Sequence, residues 1–255
     1  AAPIVVYFGW RAQLAWIAGL YAVYSVLMLA VPVPGIGAGV LEPGQDFGAW
    51  LDRMVFGDHM WAQSKTWDPE GLLSTIPAVA SQLLGVLAGR WLLSRQSRTD
   101  QTVWMLLAGL LLVWLGVIFD SILMPINKSL WTPSYSLLAA GWATVVFAAF
   151  YWLLDVNPNP AVRAAAARWT KPFVIYGMNA LFIFAFSGLV AKMFGFIKFD
   201  QLDGGTLSLG KSLYGPIRAL PIAPVNTSLL YALLFNAGMF AIAWFMWRKK
   251  WFVKV

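Results

Sequence analysis

Apolar residues in this chain come in long runs, separated by shorter polar and aromatic stretches. A bilayer crossing takes about 20 such residues, and about six segments qualify: 12–31, 72–93, 103–124, 134–154, 172–192 and 226–247. Pro32, Pro34 and Gly35 stop the first run. Pro172 opens the fifth as a first-turn residue, and Asn226 reads as the N-cap of the sixth. Two long polar loops, 35–67 and 194–225, interrupt the runs. Inside the first, Phe47, Leu51, Met54 and Val55 recur at helical spacing, which predicts a short helix over 47–56 lying on the membrane surface. The pattern predicts an all-α fold, a polytopic transmembrane helix bundle, as one transmembrane domain over 1–255 with outer loops 35–67 and 194–225.

The second run has the strongest local signals. Asp68-Pro69-Glu70-Gly71-Leu72-Leu73-Ser74-Thr75-Ile76-Pro77 reads as a polar loop closing onto a helix. In this reading Asp68 is the N-cap, Pro69 the first helical residue, and Glu70 an acid where the helix dipole favours one. Gly71, Ser74, Ala78, Ser81, Gly85 and Gly89 then recur every three or four residues as a stripe of small side chains. Such a stripe lets helices approach closely or leaves a groove for a ligand. Pro77 is expected to kink the helix.

Composition narrows the class. The chain is 60% hydrophobic and 11% charged, whereas a soluble domain carries about 25% charged residues. It is an integral membrane protein by this measure. With no cysteine and one histidine, disulfides and thiolate or His-rich metal sites are excluded, and no metal is expected. The net charge of +7 does not indicate nucleic acid, because the basic residues gather at the ends of the runs. Arg95, Arg98, Arg163, Arg168, Lys171, Arg248, Lys249, Lys250 and Lys254 fall on one side if the spans alternate; Glu42, Asp46, Asp52, Asp58, Asp68, Glu70, Asp200 and Asp203 fall on the other. By the positive-inside rule the C-terminus is cytoplasmic and the two long loops face outward.

Candidate chemistry lies on both faces. Outward, His59 is a candidate general base, Asp68 and Glu70 are candidate catalytic carboxylates, and Asn127 and Lys128 are candidates for holding an acceptor. The plainer alternatives are a solvated histidine, helix-capping acids and an interfacial lysine. Asn179 is a further catalytic candidate; with Gln82 and Asn236 it lies deep in a run, where an interhelical hydrogen bond is the plainer role. Inward, Arg90, Arg95, Lys171, Arg248, Lys249 and Lys250 offer cations for a nucleotide's phosphates, with Gly85 leaving room beside them. Topology alone also demands cations there.

The decapeptide 68–77, with Leu84-Gly85 and Ala88-Gly89 after it, resembles the heparan-α-glucosaminide N-acetyltransferase family of transmembrane acyltransferases. Pro125-Ile126-Asn127-Lys128-Ser129-Leu130-Trp131, Gly177-Met178-Asn179 and the basic C-terminus from Trp247 to Val255 agree with it in order and spacing. The resemblance implies an enzyme that takes acetyl from cytoplasmic acetyl-CoA, bound within the bundle, to an amino sugar on the far side. It also implies that this chain matches the C-terminal part of a larger bundle, the N-terminal third of the family pattern being absent. The family's catalytic histidine lies in that third, so its role does not pass to His59, and this segment alone is not expected to turn over. Ser187 stands where animal relatives have a histidine. Two other readings stay open: a catalytically silent membrane subunit of a larger complex, or of a homo-oligomer, and an amino-sugar transporter. The expected surroundings are a lipid bilayer and a small-molecule acceptor.

Overall fold

The computed structural model describes residues 1–200 and 205–253. Asp203, Lys254 and Val255 lie outside the described residues. The elements, in order, are α1 (Ala2–Tyr7), α2 (Trp10–Ala30), α3 (Phe47–Phe56), α4 (Thr75–Leu92), α5 (Arg98–Ile122), α6 (Pro133–Tyr151), α7 (Pro160–Trp169), α8 (Lys171–Gly177), α9 (Ala180–Phe196), β1 (Lys198–Asp200), β2 (Thr206–Ser208), α10 (Leu209–Arg218) and α11 (Pro224–Arg248). A wider π-helical turn, Trp152–Val156, extends α6. The fold is an all-α polytopic bundle whose β1–β2 hairpin pairs Lys198 with Ser208 and Asp200 with Thr206. The chain divides into two compact units, Ala1–Arg163 and Ala164–Val255.

Among the described residues, four helices are long and apolar enough to cross a membrane: Trp10–Ala30, Arg98–Ile122, Pro133–Val156 and Pro224–Arg248. A fifth span is made if α8 and α9, bent by 77° at their junction, count as one. The run expected at 172–192 is therefore broken, with the bend at Met178 and Asn179. Thr75–Leu92 is not among the four. Its polar Thr75, Ser81 and Gln82 and terminal Arg90 dilute its apolar content.

In the first unit α5 and α6 form the tightest pair. At Gly141 a Cβ would lie 2.6 Å from the Val113 backbone nitrogen and 2.8 Å from the Gly109 carbonyl oxygen. Small residues at an interface allow this backbone approach in lipid, where no hydrophobic force pulls helices together. Beside this pair, α2, α4 and α6 share a core of Ile17, Tyr21, Ala80, Leu83 and Leu137. The face α4 buries is thus Pro77, Ala80 and Leu83, not the stripe of small residues. Gly85 has no neighbour within 4 Å of where a Cβ would stand.

The start of α4 also departs from expectation. Asp68 does not cap it; residues 68–74 are successive turns, Ser74 is the N-cap, and the helix begins at Thr75. Pro77 is then the third helical residue. The first backbone bond from the cap is Ala78 N–H to Ser74 O at 3.2 Å. Proline's missing N–H falls where no intrahelical acceptor exists, so Pro77 starts the helix and has no ladder bond to break.

At the opposite end of α4, Gln101 closes the link to α5. Its Nε2 donates to the carbonyls of Leu92 and Ser94, each at 3.1 Å. Tyr151 Oη donates to its Oε1 at 3.1 Å. One buried amide thus satisfies carbonyls that the end of α4 leaves without helical partners.

In the second unit, Ile175, Ile183, Met239, Ala243 and Met246 form the core of α8, α9 and α11. Asn179 is almost fully buried at the bend. Its Nδ2 donates to Trp251 O at 3.0 Å, and its Oδ1 accepts from Val253 N–H at 2.9 Å. Both halves of the amide thus clasp the backbone that follows α11.

Candidate functional site

The site builds up from α3. Asp46 caps the helix, its Oδ1 accepting from Ala49 N–H at 2.9 Å. One turn on, Arg53 Nη1 donates to Gly44 O at 2.7 Å and to Thr66 O at 2.6 Å, tying the two ends of the polar loop together. The inward face of α3 is Gly48, Ala49 and Asp52. The apolar stripe is divided: Phe47 and Leu51 pack against the core, while Met54 is 69% and Val55 56% exposed. Small residues let α3 sit close to the bundle, and that closeness buries a carboxylate.

Asp52 is 2% exposed. Its Oδ1 accepts from Leu72 N–H at 2.9 Å, across to the turns before α4. A Cβ at Gly71 would lie 1.9 Å from Oδ2, so this position takes glycine because the carboxylate fills the side-chain space. Asp68, Asp52, Asp46 and Ser74 line one cleft with Tyr24, Ser129 and Leu130. Its internal space is about 20 Å³, room for about one water. Among the described residues no three acidic or imidazole groups converge to hold a metal ion.

Burial raises the pKa of both deep carboxylates. At Asp46 the backbone N–H groups around the cap oppose the shift, and Arg53 does so more weakly. At Asp52 the Leu72 N–H opposes it, while the nearby negative charges of Asp68 and Asp46 add to it. A carboxyl raised in this way can hold a proton nearer neutral pH than a solvated one.

Below the cleft, hydrogen bonds join three helices. Trp131 Nε1 donates to Ser81 Oγ at 3.0 Å. Ser81 Oγ bonds Ser136 Oγ, and Tyr21 Oη bonds Ser136 Oγ at 2.6 Å. Tyr24 Oη donates to Leu130 O. In the 125–131 loop, Asn127 Oδ1 accepts from Ser129 and Leu130 N–H at 2.9 and 3.2 Å. That loop is thereby held to α2 and α4.

The predicted site residues fare differently. Asp68 lines the cleft, and its Oδ1 accepts from Glu70 N–H at 2.9 Å in a local turn. Glu70 is exposed. His59 is exposed outside the cleft lining, its Nδ1 3.3 Å from Phe56 O. Asn127 shapes its loop, and Lys128 is exposed. Arg90 donates to Val5 O at 2.9 Å, and Arg95 is exposed. In the second unit Lys171 lies over Trp247, Arg248 over Trp244 and Lys249 over Phe245, at 5.0, 4.9 and 6.0 Å; Lys250 has a positive φ of 56°. Asn179 is engaged by the chain's own C-terminal backbone. Asp46, Asp52, Tyr24 and Ser136 were not singled out by the sequence. The one available signal was a carboxylate on the same helical face as Gly48 and Ala49.

No family model and no solved structure matches the chain. It is 30% identical over 187 residues to the human heparan-alpha-glucosaminide N-acetyltransferase, covering 62% of this chain and 27% of that protein. To the Mus musculus protein of the same name it is 28% identical over 206 residues, 69% of this chain and 30% of that one. The chain thus spans less than a third of the length of these curated relatives. Its apolar helices place it in a lipid bilayer as an integral membrane protein. Over the aligned part of its length, the chain is similar to the heparan-alpha-glucosaminide N-acetyltransferases.

Proposed function

We propose that the protein serves as a membrane acetyltransferase, moving acetyl from cytoplasmic acetyl-CoA to the amine of an amino sugar on the opposite face of a bacterial inner membrane. The C-terminus and the basic residues Arg90, Arg95, Lys171, Arg248, Lys249 and Lys250 face the cytoplasm in this reading, and Lys171, Arg248, Lys249 and Lys250 of the second unit serve the phosphates of CoA. The cleft at Asp52 faces outward and serves the acceptor.

The observation that carries the reading is Asp52: a buried carboxylate of raised pKa, bonded to the turns of the family-like decapeptide. An amine attacks a thioester carbonyl only after losing its ammonium proton. The C–N bond forms, the C–S bond breaks, the sulfur leaves as the CoA thiol, and a base must accept the proton released at nitrogen. Asp52 supplies that base, with Asp68 beside it to attract the cationic amine. The test is equilibrium binding of radiolabelled acetyl-CoA to the protein in liposomes, with displacement by CoA. Saturable binding supports the reading, and no binding up to millimolar acetyl-CoA defeats it.

A second reading, a catalytically silent membrane subunit, draws on two observations. The cleft holds about one water, and Asn179 is occupied by the chain's own backbone. Absence of CoA binding in the same measurement would favour it.

A further inference from the structure

Among the described residues, the segment expected as a loop at 194–225 contains the β1–β2 pair and α10. Gly210, Tyr214 and Ile217 of α10 share its inward face. A Cβ at Gly210 would lie 3.5 Å from Phe194 Cβ in α9. Tyr214 Oη bonds Thr227 and Ser228 hydroxyls of α11 at 3.0 and 3.1 Å. These contacts fix α10 at the end of the unit where α9 finishes and α11 begins.

At about 100° per residue, the remaining residues divide into two edges. Leu209, Leu213 and Pro216 fall on one. Lys211 and Arg218, seven residues apart, fall within about 20° of each other on the opposite edge. Leu213 is 45% exposed, and beyond the end of α10 Leu220 and Ile222 are 43% and 45% exposed. No ion pair engages Lys211 or Arg218 among the described residues. A helix clamped by one face, with an apolar edge and a basic edge opposed, has the amphipathic character of an interfacial helix.

We infer that α10 lies in the membrane interface, its apolar edge among acyl chains and its Lys211–Arg218 edge binding the phosphates of anionic phospholipids. The partner is the lipid of the surrounding leaflet, because charge complementarity and exposed apolar surface meet on one short element. This inference stands apart from the acetyl-transfer reading and needs no CoA.

The chain has no cysteine, so single nitroxide labels at Leu213→Cys and Gly215→Cys report each edge in the complete protein in vesicles. The expected result is a Leu213 label relaxed by oxygen and shielded from a water-soluble nickel complex, with the reverse at Gly215. Vesicles containing phosphatidylglycerol should raise Tm by about 2–4 °C over phosphatidylcholine alone. Lys211→Gln with Arg218→Gln should abolish that rise, as should high salt. A Leu213 label open to nickel, or shielded from both reagents by a protein partner, would overturn the inference. So would an unchanged phosphatidylglycerol effect in the double variant, or the same Tm rise from inorganic phosphate in phosphatidylcholine vesicles.

Discussion

Asp52 occupies the place where Gly71 would carry a side chain: a Cβ there would stand 1.9 Å from Oδ2, while Oδ1 accepts from the backbone N–H of the next residue, Leu72, at 2.9 Å. The pair locks α3 to the turns before α4. Gly71→Ala must push the carboxylate out, and should cost about 1–3 kcal/mol as an overpacked site. Gly85→Leu, on the open side of α4, should change stability by less than about 0.5 kcal/mol. Thermal unfolding in detergent checks both. Equal losses from the two would refute this packing.

Gly141 should be as intolerant. Alanine there meets backbone atoms of α5 at 2.6 and 2.8 Å, so the two helices must separate. A loss of about 1–3 kcal/mol is expected, read as a lower Tm. An unchanged Tm would mean that the two backbones are not in contact.

The buried carboxylates make stability depend on pH with a definite sign. Burial raises their pKa in the folded state, so between the unfolded and folded values the folded protein binds more protons. Unfolding free energy therefore falls as pH rises through that window, beginning near the ordinary carboxylate value of about 4. Asp52→Asn keeps an acceptor for Leu72 N–H and should flatten this dependence. Urea titrations at a series of pH values test it, and a slope unaltered by the substitution would exclude Asp52 as a source.

Asn179→Ala removes a donor and an acceptor from the clasp on Trp251 and Val253. The expected cost is about 1–3 kcal/mol, because a buried amide leaves backbone partners unpaired. Thermal unfolding in detergent reads this loss, and an unchanged Tm would show that the clasp does not hold residues 251–253.

The long apolar helices α2, α5, α6 and α11, and α3, were legible because apolar runs and helical spacing are local properties; the helix predicted over 47–56 is α3 itself. Its inward face was not legible. Asp52 is buried by a bond to Leu72, twenty residues away, and no local pattern reports such a partner. The 77° bend was hidden because apolar residues continue on both sides of Met178 and Asn179. α10 was read as loop because Gly215 and Pro216 interrupt it, although Leu209, Leu213 and Ile217 carried a helical period. At the candidate site the decapeptide takes part through Gly71 and Leu72, which receive Asp52, rather than through Asp68 as a helix cap.

Acetyl transfer in sealed membrane vesicles from cells making the complete protein tests the central claim most directly. Radiolabelled acetyl-CoA is supplied on the C-terminal side and glucosamine on the other, for the parent and Asp52→Asn. The account predicts labelled N-acetylglucosamine on the glucosamine side with the parent. With Asp52→Asn it predicts a rate at least about 100-fold lower, as loss of a general base implies, with acetyl-CoA binding retained. Transfer at the parental rate by Asp52→Asn, or none by a parent that also fails to bind acetyl-CoA, would contradict it.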